Sequence, residues 1–114
     1  MKYMMLVCVE ESVELTPEER AQMGAAADAW VEEMTHRGIR LAGQRLRPVG
    51  DATTVSVRGD EVLIADGPFA ETKEQIARYD IIDCADLDEA IEIASKHPIA
   101  KFGAIEIRPI WPMP

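Results

Sequence analysis

The apolar residues near the N-terminus predict a strand that is covered on both faces. An extended segment with one solvated face would alternate apolar with polar residues. Between Lys2 and Val9 both faces are apolar instead. One carries Tyr3, Met5, Val7 and Val9, and the other carries Met4, Leu6 and Cys8.

Two helices are predicted from capping signals followed by apolar stripes. Thr16-Pro17-Glu18-Glu19 supplies an N-cap, a proline in the first turn and a glutamate three residues after the cap. Gly38 predicts the end of this helix. Asp86 and Glu89 repeat the capping-box spacing ahead of a second, shorter helix. The predicted stripes are Met23, Ala27, Trp30, Val31 and Met34 in the first helix, and Leu87, Ala90, Ile91 and Ala94 in the second.

The order of the elements predicts the fold class. Further strands are predicted at Ile39 to Leu46, Thr53 to Arg58, Glu61 to Ala65, Tyr79 to Cys84 and Ala104 to Ile110, with a hairpin turn at Gly59-Asp60. This order predicts one α+β domain over residues 1–114, a ferredoxin-like antiparallel sheet with two helices on one face and an inserted β-hairpin. Because the helices cover only one face, a second copy of the sheet is expected on the other, which predicts a homodimer.

Composition narrows the range of partners. A chain of 114 residues has room for one core. Its 21 acidic and 12 basic side chains give a formal charge of −9, which argues against nucleic acid as a partner. The apolar run from Tyr3 to Val9 is too short to span a membrane, so no membrane partner and a cytoplasmic location are expected. Cys8 and Cys84 lack C-x-x-C spacing and are interpreted as small core residues that stay reduced.

Asp66 is the leading candidate for chemistry. At the end of a strand and before Gly67-Pro68, its carboxylate is placed to act as a general base or to accept a ligand hydrogen bond. An aspartate in this context also commonly binds its own backbone to form a turn. Phe69 is either a hydrophobic plug beneath the loop or a platform for a substrate.

Other polar residues are candidate ligand contacts. Glu71, Lys73 and Glu74 are expected to begin a solvated helical turn, in which Lys73 contacts a ligand only if it points inward. Glu106 and Arg108 alternate with Ile105 and Ile107, so they share one face of the last strand. They form either the polar floor of a dimer cavity, together with Tyr79 and Gln44, or an ordinary cross-strand pair at a solvated edge.

Several kinds of catalytic site are not indicated. His36 and His97 lie at predicted helix ends, which are common solvated positions, so both are weak catalytic candidates. The chain has no glycine-rich phosphate loop, no Ser-His-Asp or Cys-His arrangement and no metal-ligand spacing. Neither a cofactor nor a metal is predicted.

One motif resembles a known family. Asp66-Gly67-Pro68-Phe69, then Glu71-Thr72-Lys73-Glu74-Gln75, Asp83 and the run from Asp86 to Ala90 resemble the DGPF branch of the YCII-related proteins over nearly the whole chain. The resemblance implies a dimeric α/β barrel with a cavity against the helix-free sheet face. Better-studied YCII-related proteins carry a His-Asp pair with the histidine early in the first helix. Here that segment reads Arg20, Gln22, Met23 and Gly24, so the pair is not carried over.

Three functions are compatible with these features. The first is a lyase or isomerase in which Asp66 moves a proton on a small molecule held at the dimer face. The second is a non-catalytic ligand-binding or regulatory module. The resemblance implies it, since members of the DGPF branch are often encoded beside sigma factors of the extracytoplasmic-function class. The third is a dimerisation domain. An enzyme requires a polar group of perturbed pKa in the cavity, whereas a binding module requires shape and fixed hydrogen bonds.

Overall fold

The computed structural model describes residues 1–112. Within them the order of elements agrees with the predicted one, and two short 3₁₀ turns, Val49–Asp51 and Pro98–Lys101, are added. The helices are α1 (Pro17–His36) and α2 (Leu87–Ser95). The strands are β1 (Lys2–Val9), β2 (Arg40–Arg45), β3 (Thr53–Arg58), β4 (Glu61–Asp66), β5 (Gln75–Asp83) and β6 (Ala104–Pro109).

Four strands form one antiparallel sheet in the order β2-β5-β1-β6, and β3 pairs with β4 in a separate hairpin. This arrangement confirms the predicted ferredoxin-like α+β fold. Strand β5 begins at Gln75 rather than at the predicted Tyr79, because its pairing with β1 continues past a bulge between Val7 and Cys8 as far as Val9. The irregular register there masks the alternation that would have marked a strand.

The first helix has the predicted ends. The Glu19 amide donates to Thr16 Oγ1 at 3.1 Å, and the Thr16 amide donates back to Glu19 Oε1 at 3.0 Å. The hydrogen bond from the Thr16 backbone lowers the pKa of Glu19. Gly38 ends the helix with a positive φ of 72°, a conformation that favours glycine. In α2, Asp86 accepts from the Glu89 amide at 2.9 Å, which is the first half of the predicted capping box.

The core lies between the helices and one face of the sheet. Tyr3, Met5 and Val7 are buried on that face, and Met4 and Leu6 are half-buried on the other. The predicted stripe of α2 is partly wrong, because Leu87 and Ile91 are half-exposed whereas Ile93 packs inward. The alanines of the predicted stripe, Ala90 and Ala94, are buried. The clustered core side chains are Tyr3, Met5, Trp30, Met34, Ile39, Ile82, Cys84, Ala90, Ile93 and Ala94.

The β3–β4 hairpin extends away from this core as an arm. Its apolar side chains remain exposed in the single chain, among them Val55 at 60% and Ile64 at 69%. The Cα radius of gyration is 16.1 Å, whereas a compact chain of this length has about 13 Å. The arm therefore leaves a large apolar surface that its own chain does not cover.

Candidate functional site

The helix-free face of the sheet brings together several of the predicted contact residues. Gln44 pairs with Tyr79, Tyr79 with Leu6, and Leu6 with Glu106, so these four side chains form one row across the sheet. The adjacent row on the same face runs from β2 to β6 in the same way. We call these two rows the open face: Gln44, Tyr79, Leu6 and Glu106, then Ala42, Ile81, Met4 and Arg108.

Glu106 and Arg108 lie on the open face as a pair. Ile105 and Ile107 point the other way and pack against the core. An Arg108 Nη2 hydrogen bond to Glu106 Oε2 joins the two charged side chains, both of which are exposed in the single chain. This geometry is compatible with both interpretations of the pair, the polar floor of a dimer cavity and an ordinary pair at a solvated edge. It is a solvated pair in one subunit and the edge of a polar floor if a second sheet covers the face.

The open face combines an apolar centre with polar ends. Met4, Leu6 and Ile81 are half-buried in the middle strands, while Gln44 and Glu106 lie on the two outer strands. Neighbouring strands are about 4.8 Å apart, so the row from Gln44 to Glu106 spans about 14 Å. This width and polarity suit a small organic molecule with an apolar body and polar substituents.

Asp66 is the last residue of β4 and is exposed. The turn after it is held by other groups: the Gly67 amide donates to the Ala52 carbonyl at 2.8 Å, and Thr54 Oγ1 donates to the Gly67 carbonyl at 2.8 Å. Gly67 has a positive φ of 92°. Within residues 1–112 the Asp66 carboxylate makes no hydrogen bond, so it remains available to a ligand.

The segment after Pro68 differs from the prediction. It is an irregular bend rather than a helical turn, because Gln75 Nε2 donates to the carbonyls of Ala70 and Thr72 at 2.9 and 3.1 Å and holds the backbone open. Phe69 is 86% exposed, so it does not plug the loop within its own chain. Lys73 points into solvent, with Nζ 3.8 Å from Glu10 Oε2.

Pro68 and Lys73 border a shallow surface groove of about 290 Å³. It lies between the Asp66 loop, the β1–α1 connection and the first 3₁₀ turn. Its other lining residues are Glu11, Ser12, Val49, Glu71, Thr72 and Gln75. Gln75 precedes Tyr79 by four strand residues, or about 13 Å. Within one chain, the groove and the open-face row are therefore separate surfaces.

A buried polar cluster on the helix side was missed by sequence reasoning. Asp80 is fully buried and accepts hydrogen bonds from Arg40 Nε at 2.8 Å and from Arg78 Nε and Nη2 at 2.9 and 2.8 Å. The sequence signal that could have revealed this cluster was the alternation of Arg78 and Asp80 with Tyr79 and Ile81. It placed two charged residues on one face of a strand in the middle of the sheet.

The expectation that His97 is solvated is wrong. It is only 1% exposed, because the 3₁₀ turn that follows it packs against α1. The imidazole ring meets the Trp30 ring edge-on, with centroids 4.8 Å apart. Burial, and to a smaller extent the positive charge of Arg78, lower the pKa of His97 from 6.5 to about 4, while the negative charge of Asp80 opposes the shift.

Neither a metal cluster nor a membrane span is found in the described part of the chain. No three His, Cys, Asp or Glu side chains are grouped so as to hold a metal ion among residues 1–112. No helix in this range has the length and apolar character needed to cross a bilayer.

An antiparallel sheet with helices on one face and a polar row on the other defines an α+β protein of the ferredoxin-like class. The family model for the YCII-related domain matches residues 1–114, so the chain belongs to the YCII-related family. It is also similar to an uncharacterised protein of Rhizobium meliloti (strain 1021), with 44% identity over 68 residues. That match covers 58% of this chain and 55% of the relative, so the chain spans about half the length of the relative it matches.

Proposed function

We propose that this protein, as a member of the DGPF branch, is a homodimer whose open faces enclose a site for a small organic molecule. The observation that carries the proposal is the open face itself, an apolar centre of Met4, Leu6 and Ile81 that no element of the same chain covers. Face-to-face sheets pack about 10 Å apart. A second open face at that spacing would cover Met4, Leu6 and Ile81 and would enclose the polar side chains at the ends of the two rows.

The polar residues of the open face would orient such a molecule. The Arg108 guanidinium can bind a carboxylate in place of its present partner Glu106, and the Tyr79 hydroxyl and Gln44 amide can each both donate and accept. A ligand with an acidic group at one end and a hydrogen-bonding group about 14 Å away would engage β2 and β6 at once. The expected ligand class is therefore small organic acids.

Within this proposal the activity is cofactor-free lyase or isomerase chemistry with Asp66 as the general base. Two features support it: the Asp66 carboxylate has no hydrogen-bond partner in residues 1–112, and the turn that presents it is held by Thr54 and Gly67. Since Asp66 lies at the base of the arm, it would have to reach the chamber formed with the second subunit.

The alternative is a non-catalytic ligand-binding or regulatory module in the cytoplasm. It is favoured by the separation of the Asp66 loop from the open-face row within one chain. In that case Tyr79, Gln44 and Arg108 hold a ligand and no proton is transferred. The formal charge of −9 supports a small molecule rather than nucleic acid as the partner in either case.

Light scattering tests the dimer. We expect twice the chain mass of 12.7 kDa at micromolar concentration. Replacing Leu6 by Asp would place a charge in the centre of the open face and should give monomers. Val13→Asp is the control, because Val13 is a 58% exposed loop residue and the change should leave the dimer intact. A wild-type chain that is monomeric would refute the proposal.

Ligand-observed NMR with a panel of small organic acids tests the site. The wild-type protein and Arg47→Met should bind the same acids, because Arg47 is an exposed arginine paired with Asp51 away from the open face. Arg108→Met and Tyr79→Phe should lose or weaken binding. Unchanged binding by both variants would show that the open face is not the site.

A further inference from the structure

The helix side of the sheet holds an ion cluster that the proposed ligand site does not use. We call Arg40 and Arg78, together with Asp80 between them, the buried arginine pair. Asp80 lies opposite Gly43 in the neighbouring strand β2. A Cβ on Gly43 would collide with Asp80 Oδ1 and would lie 2.6 Å from the Tyr79 carbonyl oxygen and 2.7 Å from Arg40 Nη2. The missing side chain therefore makes room both for the cluster and for the backbone of β5.

The charges in this cluster do not balance. Two guanidinium groups, which stay protonated at any physiological pH, face one carboxylate. Asp80 is fully buried, while the Arg40 and Arg78 side chains are 15% and 12% exposed. A surplus positive charge that is largely removed from water is unfavourable unless an anion compensates it. The small residual exposure leaves a route by which such an anion can arrive.

The cluster also has unused hydrogen-bond donors. Arg40 binds Asp80 through Nε alone, and Arg78 binds it through Nε and Nη2. The remaining guanidinium nitrogens make no hydrogen bond to the part of the chain that the structure describes. Arginine presents its N–H groups in a planar fork that matches the oxygens of a carboxylate or phosphate. The free edges are therefore suited to an oxyanion.

His97 supplies an independent observation. Its Nδ1 accepts a hydrogen bond from the Ile99 amide at 3.2 Å, so the neutral ring must carry its proton on Nε2. Nε2 is buried and has no partner within residues 1–112. A buried N–H without an acceptor is unfavourable and is rare in folded proteins. His97 packs on Trp30 in the core on the helix side of the sheet, which is also the side on which Arg78 and Asp80 lie. The charges of Arg78 and Asp80 both act on the pKa of His97, in keeping with this placement.

We propose that the buried arginine pair and His97 form a binding site for a small oxyanion, a carboxylate or a phosphate group, on the helix side of the sheet. The guanidinium edges of Arg40 and Arg78 supply the charge, and the His97 Nε2–H supplies a fixed neutral donor. The site is distinct from the open face, because the side chains of Arg78 and Asp80 lie on the opposite face of β5 from Tyr79 and Ile81. The anion also completes the charge balance around Asp80.

NMR of the wild-type protein tests this site directly. Sodium phosphate and sodium acetate are titrated separately, with sodium chloride at equal ionic strength as the reference. We expect saturable shifts of the His97 ring nitrogens and of the Arg78 Nε–H with one or both oxyanions, and none with chloride. The stronger of the two responses identifies phosphate or carboxylate as the preferred group. The melting temperature should rise by a few degrees at about ten times the dissociation constant.

Arg78→Lys keeps the positive charge but removes the planar fork, and should weaken binding of the preferred anion about tenfold or more. Arg47→Lys is the matched control, since Arg47 also binds a carboxylate, that of Asp51, but is 85% exposed. It should bind the anion as the wild type does. Arg108→Met on the open face should leave the anion-induced shifts of the His97 and Arg78 signals unchanged, which separates this site from the proposed ligand site.

Two results would overturn the inference. If the His97 and Arg78 signals do not move with either oxyanion, the partner of Nε2 is a water molecule and the cluster is structural. If these signals move without saturation, or if the His97 signals move equally in Arg78→Lys, phosphate and acetate act as adventitious ions only. The wild-type titration decides between these outcomes even if Arg78→Lys fails to fold.

Discussion

The burial of His97 predicts a loss of stability in mild acid that can be assigned to one side chain. Its pKa is lowered from 6.5 to about 4 in the folded chain. Between those values the unfolded chain binds the proton and the folded chain does not. The contribution of neutral His97 to the free energy of unfolding is therefore fully present above pH 6.5 and is lost as the pH falls toward 4.

The size of this loss of stability follows from the difference between the pKa of His97 in the unfolded chain and in the folded chain. One pKa unit corresponds to about 1.4 kcal/mol, so the shift from 6.5 to about 4 amounts to about 3 kcal/mol when complete. Between pH 7 and pH 5 the expected loss is about 2 kcal/mol. For a domain with 5–15 kcal/mol of total stability, this loss should lower the melting temperature by about 8 °C.

A matched variant isolates this contribution from that of other titrating groups. His97→Gln keeps a side-chain acceptor for the Ile99 amide and has no proton to gain. Urea unfolding at pH 7 and pH 5 should show wild type losing about 2 kcal/mol more than His97→Gln over that interval. His36→Gln is the control, because His36 is the exposed histidine at the end of α1, and it should follow the wild type. Parallel losses in wild type and His97→Gln would refute the reasoning.

Three further predictions concern other parts of the chain. Asp66→Asn should change the melting temperature by only a few degrees, about 1 kcal/mol or less, but should abolish or alter ligand binding. If the variant instead unfolds while each folded molecule still binds the ligand, Asp66 is a structural residue. Cys8 and Cys84, which lie at opposite ends of the β1–β5 pair, should titrate as two free thiols in denaturant without reductant, and a single disulfide would contradict the strand order. Gly43→Ala should cost about 2 kcal/mol or more in urea unfolding, because the added Cβ overlaps a buried carboxylate oxygen and the Tyr79 carbonyl oxygen. A neutral effect would show that β2 can move away from β5 and from the buried arginine pair at little cost.

Much of the fold was predictable because its signals are local. The capping residues Thr16 and Glu19 and the helix stop at Gly38 act within a few residues, and the structure confirms each. The alternation of Glu106 with Ile105 and Ile107 predicted that the charged and apolar side chains lie on opposite faces, and this is confirmed as well. The turn after Asp66 was predicted, but the groups that hold it, the Ala52 carbonyl and the Thr54 hydroxyl, come from a distant part of the sequence.

The burial of polar residues was not predictable in the same way. His97 precedes a proline at a helix end, which is usually a solvated position, and only the packing of the following turn on α1 buries it. In the sequence Arg78 and Asp80 resemble ordinary charged residues of a strand, and the contact with Arg40 of another strand is formed only in the fold. The hydrogen bond from Arg40 to Asp80 joins residues 40 positions apart, so the local alternation that places Arg78 and Asp80 on one face does not encode it.

The sequence by itself determined the order of helices and strands, the two-faced apolar character of β1 and the negative charge of the chain, because propensity, capping and alternation depend on near neighbours. Only the tertiary structure decided which residues meet. The antiparallel register aligned Gln44, Tyr79 and Glu106 in one row, and the bend after Pro68 kept Lys73 away from it. Register and burial are set by side chains packing across the whole core, and that packing exists only once the distant strands have paired.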